Sequence, residues 1–257
     1  MTPADPPQIL SPGDGPPVAV RNPDGRAPIC LVCEHASSAI PAALGDLGLA
    51  KDDRFSHAAW DIGAGDLALE LARALDAPLV TGRVSRLVYD CNRPPQAPDA
   101  IPARSEVVEV PGNYALTGAD RAARVNEIYV PFRATLASVL DGFAAPPALV
   151  TIHSFSPVWH GKPRSVALGL LHDADDRLAV KMLGRADGTL RTELNAPYAV
   201  SDGVTHTLRE HAVPRQLDNV MIEVRNDLLR DAAGVARVAG VLLPMLRGAL
   251  RLGADPA

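Results

Sequence analysis

Several ionisable residues in this sequence stand where short apolar runs end. Glu34 and His35 follow the run Pro28-Ile-Cys-Leu-Val-Cys33. Asp90, Asn92 and Arg93 follow residues 87–89. His153 follows residues 148–152, and Glu223 sits inside Val220-Met-Ile-Glu-Val224 with Arg225 just beyond it. Two histidines with one carboxylate make a recurrent catalytic zinc set that leaves a position open for water. Zinc lowers the pKa of that water toward neutrality and polarises a carbonyl. A second carboxylate nearby can take the water's proton and hand it to a leaving amine. Arginine suits a carboxylate on the substrate because its planar fork makes bidentate contacts. Each residue also has a plain structural reading. His35 could be a histidine bonded to backbone at a helix start, Asp61 an acid favoured by a helix N-terminus, and Arg86 or Arg93 a salt-bridge partner of Asp90. Glu223 resists such a reading, because an unpaired charge in an apolar strand is costly.

The elements that must position these residues alternate along the chain. The run 28–33 is continuously apolar and bounded by turn signals, as expected of a strand buried on both faces. Further strands are expected at 78–84, 87–89, 148–152, 166–171 and 219–224. Helices are expected at 61–75, 120–142, 175–190, 204–211 and 232–252. Strands that alternate with helices predict an α/β domain whose mostly parallel sheet is covered on both faces. In such sheets, sites lie outside the carboxyl ends of the strands. Residues 1–27, rich in Pro, Gly and Asp, read as an extended arm in which Val18-Ala19-Val20 could pack on the domain edge. The loop 94–116 is long for a compact domain, and such loops are often functional.

Composition narrows the classes. With 47% hydrophobic and 21% charged residues among 257, the chain can bury a sizeable core. The net charge of −5 offers no global attraction for a polyanion, so nucleic acid is not an expected partner. Three cysteines argue against a disulfide framework. The lone Cys30-x-x-Cys33 sits in an apolar run and reads as buried strand residues rather than as a redox or metal-storage site. No signal-peptide pattern is visible near the start, and no apolar run approaches the roughly 20 residues of a bilayer span. The expected address is cytoplasmic.

Six segments together resemble the N-formylglutamate amidohydrolase family. They are Cys33-Glu-His-Ala-Ser-Ser-Ala-Ile-Pro41, Trp60-Asp-Ile-Gly-Ala64, Ser85-Arg-Leu-Val-Tyr-Asp-Cys-Asn-Arg-Pro94, Ile152-His-Ser-Phe-Ser-Pro157, Asn195-Ala-Pro-Tyr198 and Ile222-Glu-Val-Arg-Asn-Asp227. They occur in family order over about residues 28–230. The family is similar to the wider zinc carboxypeptidase and aspartoacylase group. That resemblance implies a single domain, over residues 28–257, built as a three-layer sandwich with a central mixed sheet flanked by helices. It implies one zinc ion held by His35, a carboxylate and His153. In the wider group the carboxylate lies three residues after the first histidine. Here Ser38 occupies that position, so Asp61 is the preferred replacement and Glu34 the alternative. Glu223 matches the general base and acid, and Asp90-Cys-Asn92-Arg93 resembles a segment that grips a substrate carboxylate. Arg86 is a candidate for stabilising the oxyanion. Arg164, Arg225 and Tyr198, on neighbouring loops, are candidates for substrate binding. The activity implied is hydrolysis of the amide bond of an N-acyl acidic amino acid, N-formyl-L-glutamate first, a small-molecule substrate whose family setting is histidine degradation. Rival readings are an enzyme acting on another small N-acyl amino acid and a metal-free binding protein on the same fold.

Overall fold

Residues 29–33 alternate their side chains between two apolar layers. Ile29, Leu31 and Cys33 enter one core cluster, and Cys30 and Val32 enter the other. A strand with both faces buried needs no polar alternation, which is why its sequence is continuously apolar. This strand, β2 (Ile29–Cys33), lies near the middle of a seven-stranded sheet in a computed structural model that describes residues 7–252. Residues 1–6 of the expected arm and 253–257 lie outside the described residues.

The other sheet strands are β1 (Val18–Arg21), β3 (Leu79–Gly82), β6 (Ala148–Phe155), β9 (Leu168–Leu171), β10 (Thr192–Leu194) and β11 (Asn219–Arg225). Their order is β1-β3-β2-β6-β11-β9-β10. Pairs β3–β2, β2–β6, β6–β11 and β9–β10 are parallel, whereas β1–β3 and β11–β9 are antiparallel. The sheet is therefore mixed and mostly parallel, as the alternation of elements predicts. The stretch Val18–Arg21 of the expected arm forms the edge strand against β3. Two short hairpins complete the strands: β4 (Arg104–Ser105) with β5 (Val108–Glu109), inside the long loop, and β7 (Val158–Trp159) with β8 (Lys162–Pro163).

One face of the sheet is covered by α1 (Ala64–Leu75), α4 (Arg177–Leu183) and α5 (Ala232–Leu250), which share one core cluster with it. In α1, Leu67, Ala68, Leu71, Ala72 and Leu75 are buried, the spacing of one helical face. Helix α5 starts on Asp231, whose carboxylate accepts a bond from the Gly234 amide at 2.7 Å. By length and composition α5 could cross a membrane, which corrects the expectation that no run is long enough. It carries Arg237 and Arg247, and it packs Val238, Leu242 and Leu246, all fully buried, into the core of the domain. Burying each of the two leucines is worth roughly 1.5–3 kcal/mol.

The other face is covered by α2 (Gly118–Arg124), a π-helical turn (Val125–Tyr129) and α3 (Val130–Asp141), which follow one another without a break and match the single helix expected over 120–142. Thr117 and Asp120 form a capping box at the start of α2. In the π-turn, Glu127 accepts the amides of Ile9 and Leu10 and ties the N-terminal segment down. The expected strand at 87–89 is a turn instead. Its backbone groups are taken up locally: Val88 donates to the Ser85 carbonyl, the Leu87 carbonyl accepts from Asn113, and the Val88 carbonyl accepts from the buried Arg124 guanidinium. No ladder partner remains for a strand.

Candidate active site

The carboxyl ends of β2, β6 and β11 lie side by side, and their register puts the chemistry together. β6 runs on through His153 to Phe155, farther than expected, so His153 lies within the strand and pairs in register with Glu223 on β11. On the other side of β11, Gly169 is opposite Glu223. A Cβ at Gly169 would meet the Ala196 carbonyl at 1.9 Å, so only glycine lets the segment carrying Tyr198 come this close. His35 follows β2 by two residues. Asp61 lies before α1 rather than in it, and its amide donates to the His35 carbonyl at 3.0 Å. The turn into α1 then passes through Gly63 at φ 76°, where a side chain would strike Leu229.

Both imidazoles turn their Nδ1 atoms to one oxygen. His35 Nδ1 is 3.2 Å and His153 Nδ1 2.9 Å from Asp61 Oδ2. Ligand atoms from these three buried residues lie within 4.8 Å of one another. The outer nitrogens face other carboxylates: His35 Nε2 is 2.7 Å from Asp90 Oδ1, and His153 Nε2 is 3.1 Å from Glu34 Oε2. The second contact is an ion pair without hydrogen-bond alignment, because neither atom has a hydrogen-bond partner among the described residues. With a proton on each Nε2 facing Asp90 and Glu34, and the Nδ1 protons that bond Asp61 displaced, the Nδ1 lone pairs of both rings would face a cation beside Asp61. Carboxylates behind ligating histidines fix ring orientation and tautomer in this way. Two imidazole nitrogens and one carboxylate oxygen suit a borderline divalent ion such as zinc, so the residues fit the metal that the sequence implies.

The electrostatics agree. Burial opposes ionisation of Asp61, yet the charge of His35 and hydrogen bonds from His153 and His35 hold its carboxyl well below the usual range. Burial likewise opposes ionisation at Asp90, and His35 and Arg86 hold it far down. Burial disfavours a charged imidazole, but Glu34 and Asp61 push His153 well above its ordinary value. His35 is also raised, because Asp90 and Asp61 outweigh both burial and Arg86. In charge terms, two protonated imidazoles equal one dication flanked by two neutral imidazoles. A divalent ion can therefore replace two protons without changing the balance against the carboxylates.

Glu223 behaves differently. Burial pushes its carboxyl up to about 7; His153 pulls it down and Asp61 raises it further. Its Oε2 has no hydrogen-bond partner among the described residues. A carboxyl poised near neutrality is suited to accept and return a proton. It lines a cavity of about 170 Å³ together with His35, Asp61, Arg86, His153 and Tyr198.

The arginines divide into groups. Arg86 is gripped by Asp61 Oδ1 at 3.1 Å and Asp90 Oδ2 at 3.0 Å, which fixes a positive charge in the cavity wall. Arg93 also lines the cavity and is held by Asp99 and by the carbonyls of Asn92 and Gly203. Asn92 lines it too, but its amide is committed: the NH2 donates to the Val204 carbonyl and the oxygen accepts from the Thr207 amide. It braces the neighbouring segment. Arg164 lies over the rings of Phe155, Trp159 and Tyr198 at 4.9–5.4 Å and borders an outer hollow of about 500 Å³ that shares Arg93, Trp159 and Tyr198 with the cavity. The structure does not bring Arg225 into the cavity. Its guanidinium bonds Asp227 and the Arg164 carbonyl, and so supports the Arg164 loop from behind.

Two features went unread in the sequence. Asp90 and Glu34 stand behind the histidines, a relation set by the fold alone. His57, four residues before Asp61, lines the cavity with no motif to mark it.

A protein-family model for N-formylglutamate amidohydrolase matches residues 27–230. No curated protein matches the chain. The solved structure of gene product Atu2144 from Agrobacterium tumefaciens is 46% identical, covers 95% of this chain and 98% of its own, and superposes with a TM-score of 0.93. That of N-formylglutamate amidohydrolase from Ralstonia eutropha JMP134 is 18% identical over 92% of this chain and 98% of its own, with a TM-score of 0.70, a likeness of fold. The family model spans most of the chain and includes every residue that lines the cavity, and the chain belongs to the N-formylglutamate amidohydrolase family.

Proposed function

We propose that this protein hydrolyses the amide bond of an N-acyl acidic amino acid, N-formyl-L-glutamate first, giving formate and L-glutamate. The observation that carries the reading is the pairing of two unlike units in one cavity: the His35–Asp61–His153 cluster, and a Glu223 carboxyl raised to about 7 whose Oε2 has no hydrogen-bond partner among the described residues. Zinc, held by His35, Asp61 and His153, would polarise the acyl carbonyl and acidify water. Glu223 takes a proton from the attacking water as oxygen joins the acyl carbon. It then gives that proton to the nitrogen as the carbon–nitrogen bond breaks, so one carboxyl serves as base and acid. Arg86, immobilised by Asp61 and Asp90, presents a fixed positive charge to the developing oxyanion. Arg93 and Arg164 are the groups for the amino acid's carboxylates, with Tyr198 on the same wall. Glu34 and Asp90 keep the two imidazoles in the required tautomer. The outer hollow beside Arg164 favours a second reading in which a larger N-acyl amino acid is the substrate. A small-molecule substrate in the cytoplasm, within histidine degradation, is the setting that goes with the first reading.

The test is to measure bound metal in the purified protein and to assay amine release from N-formyl-L-glutamate before and after chelation, with a Glu223→Gln control. Chelator-sensitive turnover lost in the control supports the metal mechanism and the substrate together. Bound zinc without turnover moves the reading to a panel of other N-acyl amino acids. A protein that neither contains nor takes up metal refutes the site assignment.

A further inference from the structure

Ser56 and Ala58–Trp60 are tied into a tight turn. Ser56 Oγ donates to the Asp53 carbonyl at 2.8 Å and accepts from the Ala58 amide, and the Ala59 carbonyl accepts from both the Ser85 hydroxyl and the Arg86 amide. The turn projects His57 into the cavity wall, where its side chain is 17% exposed. The ring lines the cavity with His35, Asp61 and Arg86, and the charges of Asp61, Arg86, His35 and Arg164 are within electrostatic range of it. Its Nδ1 is buried and has no hydrogen-bond partner among the described residues.

A supporting role for Asp61 does not explain this placement. His57 Nδ1 is 3.8 Å from Asp61 Oδ1, beyond hydrogen-bond reach, and Arg86 already occupies that oxygen at 3.1 Å. A buried ring nitrogen without a partner costs free energy that a bound ligand can recover. Most other polar groups of the wall are committed to the protein: Arg86 to Asp61 and Asp90, Asn92 to backbone, and Ser154 to the Ile62 carbonyl. With the Arg164 guanidinium within electrostatic range, a ring N–H here can add a directional hydrogen bond to a carboxylate that this cation attracts.

We propose that His57 is a substrate contact, a hydrogen-bond donor that orients a carboxylate of the amino-acid moiety on its way to Arg164. This rests on the hydrolase reading above. The role is one of binding and orientation, and no proton is transferred through His57.

The experiment uses the metal-loaded full chain and its His57→Ala, His57→Asn and His57→Gln variants. For each, kcat and KM are measured on the N-acyl amino acids that the wild type turns over, together with bound metal and thermal unfolding. The expected result is a KM about tenfold higher in His57→Ala, a kcat within about threefold of wild type, partial recovery of KM in the amide variants, and unchanged metal stoichiometry. An unchanged KM in a folded His57→Ala protein overturns the proposal. So does a fall in kcat accompanied by metal loss, which would make His57 a support for Asp61. A wild type that turns over no N-acyl amino acid brings down the hydrolase reading first, and this inference with it. That outcome is distinct from active wild type with an indifferent variant.

Discussion

The helix-covered side of the sheet and the carboxyl ends of its central strands are buried about equally but filled oppositely. Between the sheet and helices α1 and α5 the buried side chains are aliphatic, among them Leu67, Leu71, Val238, Leu242 and Leu246. At the strand ends the protein buries Glu34, His35, Asp61, Asp90, His153 and Glu223, each at most 4% exposed. Four carboxylates and two imidazoles in one place are costly to desolvate. The buried oxygens of Glu34 and the Oε2 of Glu223 lack hydrogen-bond partners among the described residues, so the cost is not fully offset within the chain. The apolar region supplies stability, and the ionic region is the polar arrangement proposed above to hold a cation and the reacting amide. Changes in the first should alter stability without touching chemistry, and changes in the second should do the reverse.

Glu223→Gln makes the sharpest test of that division. It is expected to lower kcat by about 10²–10⁴-fold while metal content is retained, and, by removing a carboxyl that burial disfavours, to leave the melting temperature equal or raised. Steady-state kinetics beside thermal unfolding check it; a large loss of stability would erase the contrast. Leu242→Ala in α5 is expected to cost about 2–5 kcal/mol of unfolding free energy in denaturant titrations, with kcat/KM unchanged in the folded fraction. A comparable loss of kcat would show that the two regions are coupled.

Glu34→Gln and Asp90→Asn probe the layer behind the residues proposed to hold the metal. Each is expected to weaken metal binding by about 10–100-fold in competition titrations with a chelator, with Leu242→Ala as the unaffected control. The mildest test is pH. His35 and His153 are raised in the metal-free site, so their contribution to stability is complete below the ordinary histidine value and is lost as pH rises through their folded values. Glu223, raised to about 7, adds a penalty that grows as pH climbs from the ordinary carboxylate value to about 7 and is then constant. Asp61, Asp90 and Glu34 are lowered, so their contribution is lost as pH falls below the ordinary carboxylate range. The metal-free protein is therefore expected to be most stable between about pH 5 and 6.5, and to weaken on either side in denaturant midpoints. Metal affinity should rise with pH, because binding displaces the histidine protons.

Much of the apolar region could be read directly. The run 28–33 and the spacing of Leu67, Leu71 and Leu75 reflect local periodicity, and the structure places both elements within a few residues of expectation. The misread elements are those whose hydrogen bonds are decided at a distance. Residues 87–89 have a strand's composition, but Arg124 and Asn113 take the carbonyls that a neighbouring strand would need. The expected helix 120–142 is present as one continuous helical run over 118–141, and only the π-turn inside it, where Glu127 takes the amides of Ile9 and Leu10 from over a hundred residues away, had no local signal. The two hairpins and β10 lack the length that makes a periodicity visible.

The site divides in the same way. By itself the sequence determined which residues sit at strand ends and that Glu223 has no reason to lie in an apolar strand unless it is used, because residue type and two-residue periodicity are local properties. Only the tertiary structure decided the rest. It set Asp61 between the two imidazoles and Glu34 on the far nitrogen of His153, left Asn92 and Arg225 engaged with the protein, and turned the unmarked His57 inward. Apart from the local Arg225–Asp227 pair, those contacts join residues 26 to 119 positions apart, through the register of β6 on β11 and the turn before α1. Directional contacts between such distant side chains follow from how strands align, and no local pattern in the chain encodes them.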